Sequence, residues 1–288
     1  MKGCDKYYGY CDVIFYGIVN PIRRKSMFTT KTKVLQNGRS SLQYAIIPWD
    51  SDYLHNTTLE IEHISTTSLT TLEKLINRLQ NTLNLKKGDL LVIKIPPKEY
   101  PMIHLLDQVG FHFVEQTITL DIDLSSWAPH DYIFPNASQY KIVPADISDK
   151  HSIQDIAKAT FVADRFHLDT RISKSRADYR FEMWIENSFH SEDTVFKFVY
   201  NKGVIVGFFI IREHPEYAEL RLAGLHTAHV GRGLGKILYH HMYHLLKEKK
   251  YSKVKAIISL NNLAVMNIYM YLGHGKFVNP FFVLHKVI

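Results

Sequence analysis

A mixed α/β fold is predicted for this chain, on three observations. Several short apolar runs alternate at strand spacing, and several longer ones recur at helical spacing. In the C-terminal half, strands come first as hairpins and then alternate with helices, the order of a mixed sheet covered by helices. The 288 residues are 46% hydrophobic and 22% charged, a composition that buries a core. That length suits one large or two modest domains.

The formal charge of +7 fits an anionic partner. Basic residues are scattered, and the one compact run is Arg23, Arg24 and Lys25. A nucleic-acid protein shows a denser stripe, so no nucleic acid is expected. Cys4 and Cys11 give neither a disulfide framework nor a zinc spacing, and reduced, cytoplasmic life follows. The apolar stretch at 11–19 is interrupted by Asp12 and Gly17 and is too short to span a bilayer. No membrane segment and no signal peptide are expected, and residues 13–19 read as a buried strand.

Residues 1–40 read as an N-terminal extension of uncertain structure, and residues 41–126 as a smaller α/β domain. A strand at 43–47 ends at Pro48, and 59–64 alternates as a second strand. The helix at 67–85 carries Leu69, Leu72, Leu75, Ile76, Leu79 and Leu83 on one face, with Thr67 or Ser68 as its cap. A buried strand at 89–95 is stopped by Pro96 and Pro97, a helix at 100–109 is closed by Gly110, and 113–124 is a long strand. Residues 127–138, with two prolines, read as a linker. The second domain, 139–288, has a strand at 140–143, helices at 147–160 and 173–186, and a hairpin of 195–200 and 204–212 around Asn201, Lys202 and Gly203. It continues with a strand at 218–225, a helix at 235–250, a strand at 253–260, a helix at 264–272 and a strand at 281–286.

The segment 220–238, L-R-L-A-G-L-H-T-A-H-V-G-R-G-L-G-K-I-L, is the most informative. A strand leads into a turn holding Gly231, Gly233 and Gly235, and then into an amphipathic helix. Glycines permit positive φ and close approach of the backbone to an anion. The helix N-terminus adds unpaired N–H groups and partial positive charge. Arg232 and Lys236 add mobile charge, so the turn suits a pyrophosphate. A plain strand-to-helix turn would also use such glycines. No G-K-[ST] follows, which excludes a Walker A loop, and the spacing is not the G-x-G-x-x-G of a dinucleotide fold.

This strand, turn and helix resemble the acetyl-CoA motif of the GNAT N-acetyltransferase superfamily, usually written [QR]-x-x-G-x-[GA]. Gly233 and Gly235 match its small positions, while Val230 stands where Gln or Arg is usual, which removes one side-chain contact to phosphate. Downstream, N-N-L-A-V-M-N-I-Y-M-Y-L-G resembles the superfamily's N-x-x-A-x-x-x-Y-x-x-x-G-F through Asn262, Tyr269 and Gly273, with the Phe displaced to Phe277. Y-K-I-V-P-A-D-I-S-D and V-I-V-G-F-F-I-I resemble the opening strand and the hairpin strand. F-V-A-D-R-F-H-L-D-T-R-I, Y-x-x-x-x-W-I-E-N-S and I-P-W-D-S-D-Y resemble the dTDP-fucosamine acetyltransferase group, which acetylates a nucleotide-linked aminosugar. Residues 89 to about 124 repeat the strand–helix–Gly–strand order seen from 253 onward, without the glycine turn or the Asn. They look like a degenerate half-GNAT that does not bind CoA.

The resemblance implies a GNAT acyl-CoA N-acyltransferase fold with acetyl-CoA as cosubstrate and no metal. Leu225, His226, Thr227, Val230, Gly231, Arg232, Gly233, Leu234, Gly235, Lys236, Asn262 and Tyr269 would hold the donor. The strands at 219–225 and 253–260 would part around the pantetheine arm. The Leu225 N–H would hydrogen-bond the thioester oxygen, and Tyr269 would protonate the leaving thiolate, with Tyr271 as its competitor. Glu219 and His226 are candidate bases acting through water. The acceptor would be a small-molecule amine, a nucleotide aminosugar, with Arg165, Arg171 and Arg176 for its diphosphate and Phe166 and Trp184 either lining its site or packing the core. A homodimer is compatible with this reading. His240 and His244 share a helical face without an acidic third ligand, which suits a solvated face. Another amine acceptor, or a non-catalytic CoA-binding sensor, is the alternative.

Overall fold

The computed structural model describes residues 31–128, 137–201 and 203–288. The strand expected at 13–19, both cysteines, the run Arg23, Arg24 and Lys25, most of the 127–138 linker and Lys202 lie outside the described residues. The strands are β1 Lys33–Asn37, β2 Ser40–Ile46, β3 Thr58–Ser65, β4 Leu90–Ile95, β5 His112–Asp123, β6 Tyr140–Pro144, β7 Asp193–Tyr200, β8 Val204–Glu213, β9 Ala218–Leu225, β10 Lys253–Ser259 and β11 Gly275–Val287. The helices are α1 Pro48–Leu54, α2 Leu69–Leu83, α3 Tyr100–Gln108, α4 Lys150–Thr160, α5 Arg165–Leu168, α6 Lys174–Ser188, α7 Leu234–Glu248 and α8 Leu263–Leu272.

Most elements follow from local chemistry. Ser68 is the cap of α2: its side chain accepts the Thr71 N–H, and Leu72, Leu75, Ile76 and Leu79 are buried at helical spacing. Asp146 and Asp149 form a capping box on a 3₁₀ turn at Ile147–Asp149, so the helix expected at 147–160 starts as that turn and becomes α4. The sequence pattern assigns no element to 48–54. Pro48 starts α1 there, its fixed φ suiting a first helical turn. The last strand is longer than the expected 281–286. Asn279 and Pro280 look like a break, but the register shift between Val278 and Phe281 absorbs them as a bulge within β11. β1 lies inside the stretch read as an extension and pairs antiparallel with β2.

The eleven strands of the described residues join one sheet in the order β1-β2-β3-β4-β11-β5-β10-β9-β8-β7-β6. β5, from the first half of the chain, lies beside β10 of the second, with Ile118 opposite Ile258. β11, from the second half, lies beside β4 of the first, with Val283 opposite Lys94. Each half of the sheet is thus completed by a strand from the other. Helices α2, α3, α7 and α8 cover one face of the sheet, and α1, α4, α5 and α6 the other. Leu120, Ile122, Ala256 and Ile258 point to the α7/α8 face, so their neighbours in sequence point to the opposite one.

Candidate active site

The site starts from a failure of pairing. β9 and β10 are parallel neighbours only where Ala218, Glu219 and Leu220 meet Val254, Lys255 and Ala256. β9 continues to Leu225 and β10 to Ser259 without further pairs, so the two strands part, as the sequence led us to expect. A bulge supplies the bend. Pairing with β8 skips Arg221, between Ile211 opposite Leu220 and Ile210 opposite Leu222. Arg221 binds the Asp193 carboxylate at 2.9 Å and lies 5.5 Å over Trp184, and Leu222 packs in the core beneath α4 and α6. After the bulge, Ala223 and Leu225 turn to the α7 side. The Leu225 carbonyl accepts a 2.9 Å hydrogen bond from the Thr160 hydroxyl, which fixes the end of α4 over the end of β9.

Beyond Leu225 the chain makes the glycine turn. His226 caps a short 3₁₀ turn, its ring accepting the Ala228 N–H, and Thr227 lies within that turn. Gly231 and Gly233 have φ of +81° and +79°, a left-handed conformation that only glycine adopts freely. A Cβ on either would meet nothing within 4 Å, so the approach to their backbone is open. Gly233 is the N-cap of α7, and no side chain caps that end, which leaves first-turn N–H groups for an anion. Val230, Arg232 and Gly231 are exposed, and Leu234 is buried as the first residue of the helix. Gly235 serves packing instead, since a Cβ there would lie 2.6 Å from Ile268, and its absence lets α7 rest on α8. The Lys236 ammonium sits 3.9 Å over the Tyr271 ring.

Asn262 caps α8, accepting the Val265 N–H at 3.1 Å. About two turns later, Tyr269 is 3% exposed and lies in the core with Ala256 and Ile258 of β10. Its ring meets Tyr239 edge-on at 5.1 Å, and the two hydroxyls are hydrogen-bonded. Burial pushes the Tyr269 hydroxyl far above the usual phenol range, with Tyr239 adding to it, so Tyr269 holds its proton. Of the candidate bases, Glu219 lies at the closed end of β9, opposite Lys255, and is paired with His214 at 3.3 Å. His226 is exposed at the turn.

The expected acceptor residues divide. Phe166 is 1% exposed and packs in the core, with the Arg165 and Arg180 guanidiniums 4.8 and 4.2 Å from its ring centre. Arg171 forms a two-pronged pair with Asp169, and Arg165 lies 3.9 Å from Asp50, so both are engaged within the protein. Arg176 is exposed on α6. Trp184 is half-buried and stacks on Phe181. The sequence reading missed the buried pair of Asp50 and Arg180 at 2.6 Å, which ties α1 to α6. Beside it, Asn187 donates to the Tyr53 hydroxyl, and burial with the Asp50 charge raises the Tyr53 pKa to about 12. The only signal was that I-P-W-D-S-D-Y and the α5–α6 segments resembled the same group of enzymes. His240 packs against Trp127 at 5.4 Å and His244 lies 3.5 Å from Glu248. Among the described residues, no group of three His, Cys, Asp or Glu side chains is placed to hold a metal, and no helix is long and apolar enough to cross a membrane.

Residues 152–274 match the family described as Acetyltransferase (GNAT) family. The spore coat polysaccharide biosynthesis protein SpsD of Bacillus subtilis (strain 168) is 18% identical over 229 residues, covering 78% of this chain and 76% of that protein. The GCN5-related N-acetyltransferase from Sphaerobacter thermophilus superposes with a TM-score of 0.61 at 13% identity, over 88% of this chain and 82% of that one. A tandem GNAT protein from the clavulanic acid biosynthesis pathway superposes with a TM-score of 0.52 at 14% identity, over 90% and 82%. The likeness in fold therefore covers both halves, and the glycine turn, the parted strands and the family match fall in the same segment. Residues 152–274 thus match the GNAT acetyltransferase family, and that match with the relatives' names indicates an N-acetyltransferase.

Proposed function

We propose that this enzyme transfers an acetyl group from acetyl-CoA to the primary amine of a nucleotide-linked aminosugar, by direct attack within a ternary complex. The parting of β9 and β10, with an uncapped helix N-terminus at the end of the same strand, carries the reading. The diphosphate of the donor fits the open amides of 231–235, with Arg232 and Lys236 beside them. The pantetheine arm fits between the parted strands, bringing the thioester oxygen to the Leu225 N–H. Holding amine and thioester in line supplies much of the acceleration. Tyr269, kept protonated by burial, gives its proton to the leaving sulfur after exchanging its Tyr239 partner for it. The name of the SpsD relative, a polysaccharide biosynthesis protein, agrees with a sugar acceptor. A cytoplasmic setting agrees with a donor made and used there.

The test has two stages. Calorimetry with acetyl-CoA should show binding, and thiol release should then depend on an added amine: dTDP-fucosamine, D-glucosamine or a peptide N-terminus. Faster release with the sugars supports the acceptor class, whereas preference for the peptide replaces it. Binding with no turnover on any amine would make the chain a CoA sensor. Tyr269→Phe should lower kcat by roughly 10²-fold or more with donor affinity retained, and an unchanged kcat would remove the general-acid role.

A further inference from the structure

The transfer needs a group that takes a proton from the acceptor, and the parted strands point to one that comes from the other half of the chain. β10 runs between β9 and β5. On one side Leu220 sits beside Ala256; on the other Thr117 sits beside Ser259, and the Leu260 N–H reaches the Gln116 carbonyl at 2.8 Å. Carried past the bulge at Arg221, the two registers bring Leu225 of β9 level with Gln116 of β5 and within one residue of Glu115, on either side of the end of β10. At ordinary strand spacing that is about 10 Å, before the parting is added.

Glu115 lies opposite Val283, which packs beneath α1 and α5, so its side chain is on the face opposite α7 and α8. It is 6% exposed and hydrogen-bonded to Ser259, the last residue of β10. The charged groups facing it are Arg165, the first residue of α5, Asp164 from the α4–α5 connection and Lys94 from β4. That connection starts at Thr160, whose hydroxyl is fixed on the Leu225 carbonyl, and ends at Asp164, which caps α5. It therefore crosses from Leu225 to Glu115 over the mouth of the gap. The same face of β10 is open to solvent further along, where Ile257 is 64% exposed, so an acceptor has a path to the mouth.

We propose that Glu115 is the carboxylate that binds the acceptor's ammonium group and takes its proton at the parted end of β9 and β10. The assignment rests on the transferase reading above. The ammonium gives one proton to Glu115, and the freed lone pair forms the C–N bond at the thioester carbon. The C–S bond breaks and its electron pair leaves on sulfur. Of the two protons that nitrogen loses, one restores the proton that Tyr269 gives to the thiolate and the other leaves through Glu115 to solvent. Burial pushes the Glu115 carboxyl above the usual range against the pull of Arg165 and Ser259, which makes it a better base. Glu219 cannot take this part from the closed end of β9, where it is paired with His214.

The test compares wild type with Glu115→Gln, which keeps the volume and a hydrogen bond to Ser259. With D-glucosamine as the probe amine, kcat/KM should fall about 10²-fold or more, and the rise of activity with pH on the acid side should disappear. Acetyl-CoA affinity by calorimetry and the unfolding midpoint should stay the same. An unchanged acid limb overturns the proposal. If wild type binds no acetyl-CoA, or releases no thiol with any amine, the failure belongs to the transferase reading. Glu115 is then decided by ¹³C-carboxyl NMR of glutamate-labelled protein, with its resonance assigned by difference from Glu115→Gln. A shift of that resonance on adding D-glucosamine upholds a carboxylate that binds the acceptor's ammonium at the gap, and no shift overturns it.

Discussion

Gly233 and Gly235 stand two residues apart and answer to different physics. Gly233 needs its left-handed φ, and Gly235 needs the missing Cβ because Ile268 occupies that space. Gly233→Ala should cost about 1–2 kcal/mol of backbone strain and weaken acetyl-CoA binding, because it disturbs the amides at the start of α7. Gly235→Val should cost about 1–3 kcal/mol by overpacking α7 against α8. Urea denaturation and calorimetry on both variants separate the two effects; equal loss of donor affinity and stability in each would contradict the division. The motif made both glycines legible in the sequence, since a turn signal is local. It did not show which one leaves its backbone open and which one is packed, because Ile268 arrives from another helix. Tyr269 was legible by spacing from Asn262, but its partner Tyr239 was not, for the same reason. Glu115 carried no signal at all: it lies on an ordinary alternating strand, and only the register of β5 beside β10 brings it to the site.

At the scale of elements, periodicity served well where a segment buries one face. α2, α7 and the strands β3 and β10 were readable because their apolar residues repeat at helical or strand spacing, and β4 because an unbroken apolar run marks a strand buried on both faces. α1 was not, since its seven residues bury Asp50 and Tyr53 as well as Leu54. Its placement depends on the Asp50 carboxylate meeting Arg180 on α6, a contact that no local pattern records. Both partners are buried, so removing one leaves the other charge uncompensated. Asp50→Asn should therefore destabilise the protein by about 3–5 kcal/mol in urea, and Asp50→Asn with Arg180→Met should recover part of that loss. A cost below about 1 kcal/mol for the single change would show that the pair is solvated. Because α6 also carries Trp184, and Arg221 of the bulge lies over that ring, the single variant should loosen the acceptor side before the donor turn.

The described strands form a single sheet whose halves have traded strands, and the point of exchange holds a titratable core. His285 of β11 is fully buried, with Nδ1 3.0 Å from the Asp169 carboxylate between α5 and α6. Burial lowers its pKa to about 4 in spite of the Asp169 charge. Hydrogen bonds from His285 and Arg171 outweigh burial at Asp169 and hold that carboxyl well below its usual range, so it stays ionised across the same window. An unfolded histidine titrates near 6.5. Between about 4 and 6.5 the unfolded chain therefore binds one more proton than the folded one, and stability falls as the pH falls. The expected slope is up to about 1.4 kcal/mol per pH unit. Urea denaturation from pH 7 to 4 measures it, and His285→Gln should flatten that part of the curve. The exchange itself was hidden from the sequence, which showed two consecutive α/β stretches and nothing to say which strands cross over. Its consequence reaches back to synthesis. The strand that sits between β4 and β5 is encoded after every other strand of the sheet, so the N-terminal half cannot close over its own core while the ribosome is still translating the catalytic one. Pairs so far apart in the chain form slowly, and the nascent polypeptide must wait with an open sheet edge until residues 275–287 emerge.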